Sequence, residues 1–377
     1  MASWNSSNGA WLVGVWDTPD IIVSTLDFMR DHNIEYNFPT TLTLDANGKF
    51  AVSGNFMIYL HQYMKTLQEY EESPRSQGKK FKFFPVIDAC FKPGNSDQYL
   101  DLSNDEVRAT AVNSIQKFIR PDVDGSYITG MPRGFEGVQF NLGTSSEYGL
   151  PKGNTYDFEI IRKFMREVKA AIGPNKLTCL ATPQFGDAWD SFRFHGAALD
   201  VDILAPMCFN STYQTPEEYQ AFMKGQVHDI LYAVSGKYAG NQERPRNGGK
   251  VLLGFPCFSA WEINPHNETA ENITTAAKSA VEGINKMIEV KDDALDFLIG
   301  ASLYSYTDGE GQSGFSKKAD MIAFKELWVS VTPAPVPTKS GDTGKINPTI
   351  DDPSNSPVVR AAVVAILAVC ALLVAIG

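Results

Sequence analysis

Cysteine, histidine and positive charge are all scarce in this chain of 377 residues. Its 5 cysteines, Cys90, Cys179, Cys208, Cys257 and Cys370, are too few and too widely spaced for a disulfide framework, and no C-x-x-C zinc or redox spacing occurs. Four of them lie in or just after strand-like runs, where a cysteine reads as a small buried hydrophobe. The histidines, His32, His61, His195, His228 and His266, are scattered without ligand spacing, so neither a metal nor a cofactor is expected. Lys and Arg number 33 against 44 Asp and Glu, and a net charge of -11 has the wrong sign for a nucleic-acid partner. The opening segment MASWNSSNGAWLVGVWDTPD has neither a basic n-region nor an apolar h-region, so no secretory leader is legible.

What the chain does have is core-forming volume. Apolar residues make up 43%, with 23 Phe, 14 Tyr and 6 Trp, which excludes wholesale disorder. Apolar β-rich runs alternate with helical periodicity. Strand-like runs occur at Trp11 to Trp16, Glu35 to Leu44 (ending at Asp45-Ala46-Asn47-Gly48), Phe81 to Ala89 and Gly137 to Leu142. Four more follow at Leu177 to Ala181, Ile203 to Met207, Val251 to Phe255 and Ala301 to Tyr306. Helices are expected after Thr18 with Pro19 at the first position, from Phe56 to Glu72, from a Ser103-Asn104-Asp105-Glu106 capping box to Ile119, and from Tyr156 to Ile172. Two further helices begin at Thr215-Pro216-Glu217-Glu218 and span Ile273 to Val290. Strands too apolar to have a wet face, each followed by a helix, predict a parallel sheet closed into an α/β (β/α)8 TIM barrel forming a single domain. The competing architecture is a doubly wound open sheet, but no G-x-G-x-x-G or Walker loop follows any strand to support it.

In such a barrel the functional face is the carboxyl end of the strands. Reading off that rim gives Trp16 and Asp17, Asp88, Phe185 and Trp189, then Phe209, Asn210 and Tyr213, then Phe258 and Trp261, and finally Tyr306 and Asp308. Aromatics dominate, and flat aromatic faces with a few amides and carboxylates suit pyranose rings. Trp11 and Trp328 are assigned instead to packing.

The order of motifs over residues 10 to 330 resembles glycoside hydrolase family 18, the chitinases with their endo-N-acetylglucosaminidase and lectin-like relatives. GFEGVQFNLG, DILAPMCFN, KVLLGFPCF and GASLYSYTDG carry the resemblance, and NFPTTLTLDANGKF is similar to the family's second strand and turn. The family pattern D-G-x-D-x-D-x-E on the fourth strand implies a terminal Glu that protonates the glycosidic oxygen. It also implies an Asp two residues earlier that orients the substrate acetamido group, which itself supplies the nucleophile. Aligned on Gly137, this chain has Glu136, Gln139, Asn141 and Gly143 at the four acidic positions. The sixth-strand M-x-Y-D stands here as Met207-Cys208-Phe209-Asn210, the third-strand S-x-G-G as Val86-Ile87-Asp88-Ala89, and the eighth-strand Trp that floors the sugar subsite as Tyr304.

Acid and hydroxyl groups are therefore gone while aromatic and apolar positions remain. General acid catalysis is worth about 10² to 10⁴ in rate, whereas stacking on a glycan needs neither group. The expected function is that of a pseudoenzyme: a chitinase-like barrel that binds N-acetylglucosamine-containing glycan at the cell surface without hydrolysis. Two alternatives stay open. One is an active glycosidase with an acid recruited from Glu147, Asp88, Asp187 or Asp308; the other is a structural or partner-binding surface domain. The expected substrate-binding residues are Trp16, Asp88, Trp189, Met207, Phe209, Asn210, Phe258, Trp261, Tyr304 and Tyr306.

The domain plan has an N-terminal extension at 1–9, the barrel at 10–330, a Pro/Ser/Thr/Asp-rich stalk at 331–357 and an apolar segment at 358–377. The last segment, VVRAAVVAILAVCALLVAIG, has no polar residue after it and fits a glycosylphosphatidylinositol attachment signal, with a tail-anchored membrane helix as the alternative. Such an anchor requires entry to the secretory pathway, so the missing leader is read as truncation. Four N-x-S/T sequons, at Asn5, Asn210, Asn267 and Asn272, would permit glycosylation there.

Overall fold

A computed structural model of the chain describes residues 4–5, 7–12, 18–50, 54–89, 100–142, 158–186, 189–209, 213–239, 245, 249–257, 267–306 and 318–331. Met1–Val336 forms one compact unit, an α/β barrel of parallel strands. The strands are β1 (Asn8–Leu12), β2 (Ile34–Leu44), β3 (Lys82–Phe83), β4 (Val86–Ala89), β5 (Gly137–Asn141), β6 (Leu177–Pro183), β7 (Ile203–Met207), β8 (Lys250–Pro256) and β9 (Leu298–Tyr306). Their spatial order is β1-β9-β8-β7-β6-β5-β4-β2-β3, and β1 also pairs with β2, which closes the ring. The third predicted strand is split: β3 and β4 both pair with β2, and the break falls at Phe84-Pro85, where proline has no N–H to give.

The helices are α1 (Pro19–Asp31), α2 (Gly54–Glu72), α3 (Asp105–Ile119), α4 (Phe158–Ile172), α5 (Ser191–Asp200), α6 (Pro216–Val234), α7 (Ile273–Glu289) and α8 (Lys318–Phe324), the last running into a π-turn at Lys325–Val329. Thr18 caps α1 and Thr215 with Glu218 forms the capping box of α6, as their sequences imply. At α3 the cap is Asn104, whose side chain accepts from the N–H groups of Glu106 and Val107. Ser103 is turned instead to Asp101, 2.5 Å away, so the expected Ser103 capping box is not formed.

Strand alternation sorts the core into two layers. Ala10, Ile34, Ile87, Val138, Phe140, Leu204, Val251, Leu253 and Leu303 face the helices, while Trp11, Tyr36, Phe38, Phe84, Val86, Cys179, Ala181, Ile203, Ala205 and Leu252 fill the lumen. Each fully buried side chain of this size contributes roughly 1.5 to 3 kcal/mol over exposure.

One amide joins the two ends of the barrel. Asn8, fully buried at the start of β1, accepts through Oδ1 from the Ala301 N–H at 3.0 Å and from Trp328 Nε1 at 2.8 Å. Its Nδ2 donates to the carbonyl of Asn5 at 3.2 Å. Asn5 in turn donates to the carbonyls of Trp328 at 2.8 Å and Val331 at 3.1 Å, and Trp4 meets the Trp328 ring edge-on at 4.7 Å. Trp4, Asn5 and Asn8, expected in an N-terminal extension, are thus held against the barrel. The Asn5 sequon has its amide buried and engaged, so the expected glycan acceptor there is lost. Asn272 caps α7 by accepting from the Thr275 N–H at 2.9 Å, and Asn267 donates to Gln214 O at 3.0 Å; Asn210 lies outside the described residues.

Asn8→Ala leaves the Ala301 and Trp328 N–H groups buried without acceptors, each costing about 1 to 3 kcal/mol. The variant is expected to lose about 2 to 5 kcal/mol in urea unfolding monitored by Trp fluorescence; an unchanged midpoint would remove Asn8 from its place as the clasp.

Candidate functional site

The carboxyl ends of β4, β5, β7, β8 and β9 build the candidate site. On β5, Val138 and Phe140 point outward, with Phe140 packed edge-on against Phe164 of α4 at 5.6 Å. Gln139 and Asn141 therefore face the lumen, and the register partners of Gln139, Val86 and Cys179, are themselves lumen residues. Gln139 is completely buried, and neither its amide nitrogen nor its oxygen has a hydrogen-bond partner. Asn141, one step nearer the rim, is half-buried and stands in register with Asp88 of β4. Among the described residues, Glu35 and Asp88 are the acids in the strands, and Glu35 sits at the amino end in an ion pair with Lys82 at 2.7 Å.

Glu136 falls at the opposite end from the rim. It immediately precedes β5, accepts from the Phe83 N–H at 2.7 Å and pairs with Arg133 at 2.5 Å, while Arg133 also holds Glu71 at 2.9 Å. The first acidic position of the motif is therefore a clasp between strands at the amino end, with no route to a substrate at the rim. Gly143 and Glu147, and the other proposed substitute acids Asp187 and Asp308, lie outside the described residues.

Three expected substrate-binding residues are brought together. Met207 continues the lumen face of Ile203 and Ala205 and is in register with Pro183 and Gly254. Phe209 turns inward, 3% exposed, and stacks on Tyr304 with ring centroids 5.1 Å apart and planes 21° apart. Tyr304, half-buried, also meets Trp11 edge to face at 5.3 Å. Trp11 is thus a packing residue, as expected, but its packing partner is the aromatic floor of the site.

Trp189 does not join them. It is 4% exposed and lies among Phe158 of α4 at 5.7 Å and Phe194 of α5 at 5.4 Å, because α5 begins one residue past the Asp190 cap and draws the ring into the helical layer. Phe185 follows the same path, packing on Phe194 and Tyr238 with its backbone held by Gln226. Tyr213 packs on Phe222 and Tyr219, and burial raises its hydroxyl pKa. Asp88 and Tyr306 have their backbones at the carboxyl end, Asp88 beside Asn141 and Tyr306 beside Leu12. Trp16, Asn210, Phe258 and Trp261 lie outside the described residues.

Ser302 was not expected. Its hydroxyl is buried without a partner on the lumen face of β9, in register with Gly9 and Gly254. The alternation of Ser302, Tyr304 and Tyr306 in GASLYSY is the signal that places it. Cys208 is buried behind the site, and burial pushes its thiol up to about 12, so it is inert as a nucleophile. Among the described residues no group of three His, Cys, Asp or Glu side chains could hold a metal ion.

Burying an amide with neither atom paired costs roughly 1 to 3 kcal/mol, which an apolar side chain of similar shape avoids. Gln139→Met is therefore expected to raise the urea midpoint by an amount equivalent to about 1 kcal/mol. A lowered midpoint would show that Gln139 is satisfied in solution.

No family model matches the chain, and no curated protein matches it. Solved structures do. A chitinase from Rhizomucor miehei superposes with a TM-score of 0.50 at 12% identity, covering 86% of this chain and 100% of that one. The Group IV chitinase of Ostrinia furnacalis gives 0.50 at 12% identity, covering 85% and 100%. The spore cortex-lytic enzyme SleL of Bacillus cereus gives 0.41 at 12% identity over 67% of this chain, which spans 51% of that one. At such identities the likeness is one of fold.

Proposed function

We propose that this chain is a chitinase-like barrel of the family 18 type that binds N-acetylglucosamine-containing glycan without hydrolysing it. The observation that carries the reading is the chemistry of β5: the lumen side chains approaching its carboxyl end are Gln139 and Asn141, both neutral amides. A neutral amide accepts a hydrogen bond from a sugar hydroxyl but cannot donate the proton that glycosidic cleavage requires, nor balance the cation that forms. Tyr304, half-buried where Trp11 and Phe209 pack on it, adds an aromatic ring of the kind that sugar C–H faces favour.

A second reading has one specific support. Asp88 is in register with Asn141, so its backbone lies closer to the motif strand than sequence spacing reveals, and it offers an acid for residual hydrolysis.

Both readings meet one experiment, in which the detergent-solubilised full-length protein is incubated with chitin and with N-acetylglucosamine oligomers. Retention and released product are assayed separately. Retention without product above a blank is the expected result. Product that disappears in Asp88→Asn establishes the second reading, and neither retention nor product leaves a scaffold or partner-binding role.

The site of action follows from the C-terminal segment. We propose that the chain is displayed at the cell surface by a lipid attached within the stalk at 331–357, with residues after the attachment point removed. Among the described residues no helix is long and apolar enough to cross a membrane, and 358–377 lies outside them. The full chain, given a secretory leader and an epitope after Gly377, is expected to reach the surface, lose the epitope and be released by phosphatidylinositol-specific phospholipase C. Retention of the epitope in membrane-bound protein would identify the segment as a transmembrane helix instead.

A further inference from the structure

The seam where the first and last helices meet is joined by one imidazole. His32 follows α1 as its C-cap, with its backbone N–H on the Phe28 carbonyl at 3.1 Å. The same carbonyl takes the ring: Nδ1 lies 2.7 Å from Phe28 O, and since a carbonyl only accepts, Nδ1 carries the proton there. Nε2 is left as the nitrogen that gains a proton in acid. The ring rests on Phe28 at 4.3 Å between centroids and is stacked on Phe324 of α8 at 6.5 Å, with 21° between planes. It is also hydrogen-bonded to the backbone of Met321 in α8. The backbone carbonyl of His32 accepts from Asn8 Nδ2 at 3.4 Å, and the Oδ1 of that amide takes the Trp328 indole at 2.8 Å. One half-buried residue therefore touches α1, α8 and the Asn8 clasp.

We propose that the His32 ring is an acid-sensitive latch between α1 and the α8 segment, closed at neutral pH and loosened when the ring takes up a second proton. The inference is independent of the glycan-binding reading. A free histidine titrates near 6.5, so one set in a seam is placed to change charge within the physiological range. Burial is the strongest influence on this ring and lowers its pKa, because an imidazolium between Phe28 and Phe324 gives up water. The charged groups that act on the ring are Lys325 of the π-turn, which lowers it further, and Asp31 of α1, which raises it. The hydrogen bonds to Phe28 and Met321 raise it too, and β1 meets His32 with the neutral amide of Asn8. The net direction is downward, against the pull of the carbonyl end of α1. A closed seam thus binds the proton more weakly than an open one. The stability the seam supplies is complete above about pH 6.5 and is lost as the pH falls below that value. α8 has 7 residues before the π-turn, too short a helix to hold its place without tertiary contacts.

The test is amide hydrogen exchange of the full-length protein, read by mass spectrometry about one unit above and about one unit below pH 6.5 and corrected for the pH dependence of exchange itself. Peptides covering 318–331 are compared with peptides from α7, which serves as the internal reference. In wild type the 318–331 segment is expected to lose protection by about threefold to tenfold at the lower pH while α7 is unchanged, tenfold being the effect of one pKa unit between closed and open seam. His32→Gln, which takes up no proton, is expected to protect the segment equally at both pH values. Lys325→Gln keeps the ring and removes the repelling cation, so its loss is expected to be smaller than that of wild type; it decides the matter should His32→Gln fail to fold. Equal protection at both pH values in wild type overturns the proposal, as does a loss shared equally by α7. A loss that persists in His32→Gln, or that Lys325→Gln leaves unchanged, overturns it as well.

Discussion

Closure of the sheet at β1 is the constraint on which the rest of the barrel depends. A strand of five residues must satisfy two neighbours at once, pairing with β2 through Gly9–Tyr36 and Trp11–Phe38 and with β9 through Gly9–Ser302 and Ala10–Leu303. Parallel pairs between strands from opposite ends of the chain carry the full cost of loop closure before any contact rewards them. The Asn8 amide answers that cost locally, since its two ends reach β9, the π-turn and the segment at Asn5 together. Trp328 is fully buried at the meeting point, edge-on to Trp4 and to Phe255 of β8. Without the ring there is no lumen, and without the lumen β5, β7 and β9 do not share an interior.

Once the ring is closed, steric economy decides what the interior holds. Gly137 cannot carry a side chain, because its Cβ would lie 2.3 Å from Leu177 O and 2.5 Å from the Phe84 ring. The glycine in the GFEG motif is therefore required for packing at the amino end, independently of any chemistry at the rim. Phe84, Phe38 and Tyr36 interlock there in edge-to-face and stacked pairs between 5.7 and 6.2 Å, plugging the amino end of the barrel. Among the described residues, Gln139, Asn141 and Ser302 are polar side chains of the lumen beyond this aromatic plug. The position of the candidate site follows from this gradient.

How far the sequence discloses this arrangement depends on whether a residue obeys a period. β7 is read to the residue, and α1, α6 and α7 nearly so, because apolar alternation and cap chemistry agree there. α5 and α8 escape individual placement: one has 10 residues with Gly196 inside it, the other has 7 before the π-turn. Trp189 and Phe185 are misplaced for a different reason. A residue just after a strand can turn to either layer, and Asp190 capping α5 settles it for the helices. Glu136 is misplaced because a motif alignment fixes order along the chain but says nothing of which end of the strand the first position occupies. Trp16, Asn210, Phe258 and Trp261 lie outside the described residues.

Among the described residues, charge is kept away from the lumen wall of β5. The barrel's ion pairs are external or at the amino end: Arg108 with Glu167, Arg162 with Asp200, Lys169 with Asp202, Arg133 with Glu71 and Glu136. The lumen wall of β5 carries no charge. A carboxylate about 4 Å from a developing oxazolinium cation contributes about 4 kcal/mol at an effective dielectric constant of about 20. By transition-state arithmetic that is worth roughly 10³ in rate. An amide at Asn141 forfeits most of it. An amide at this place also avoids the desolvation penalty of a buried anion, which is several kcal/mol. Neutral amides at Gln139 and Asn141 are thus polar groups that this closed lumen can hold at a far lower cost than carboxylates.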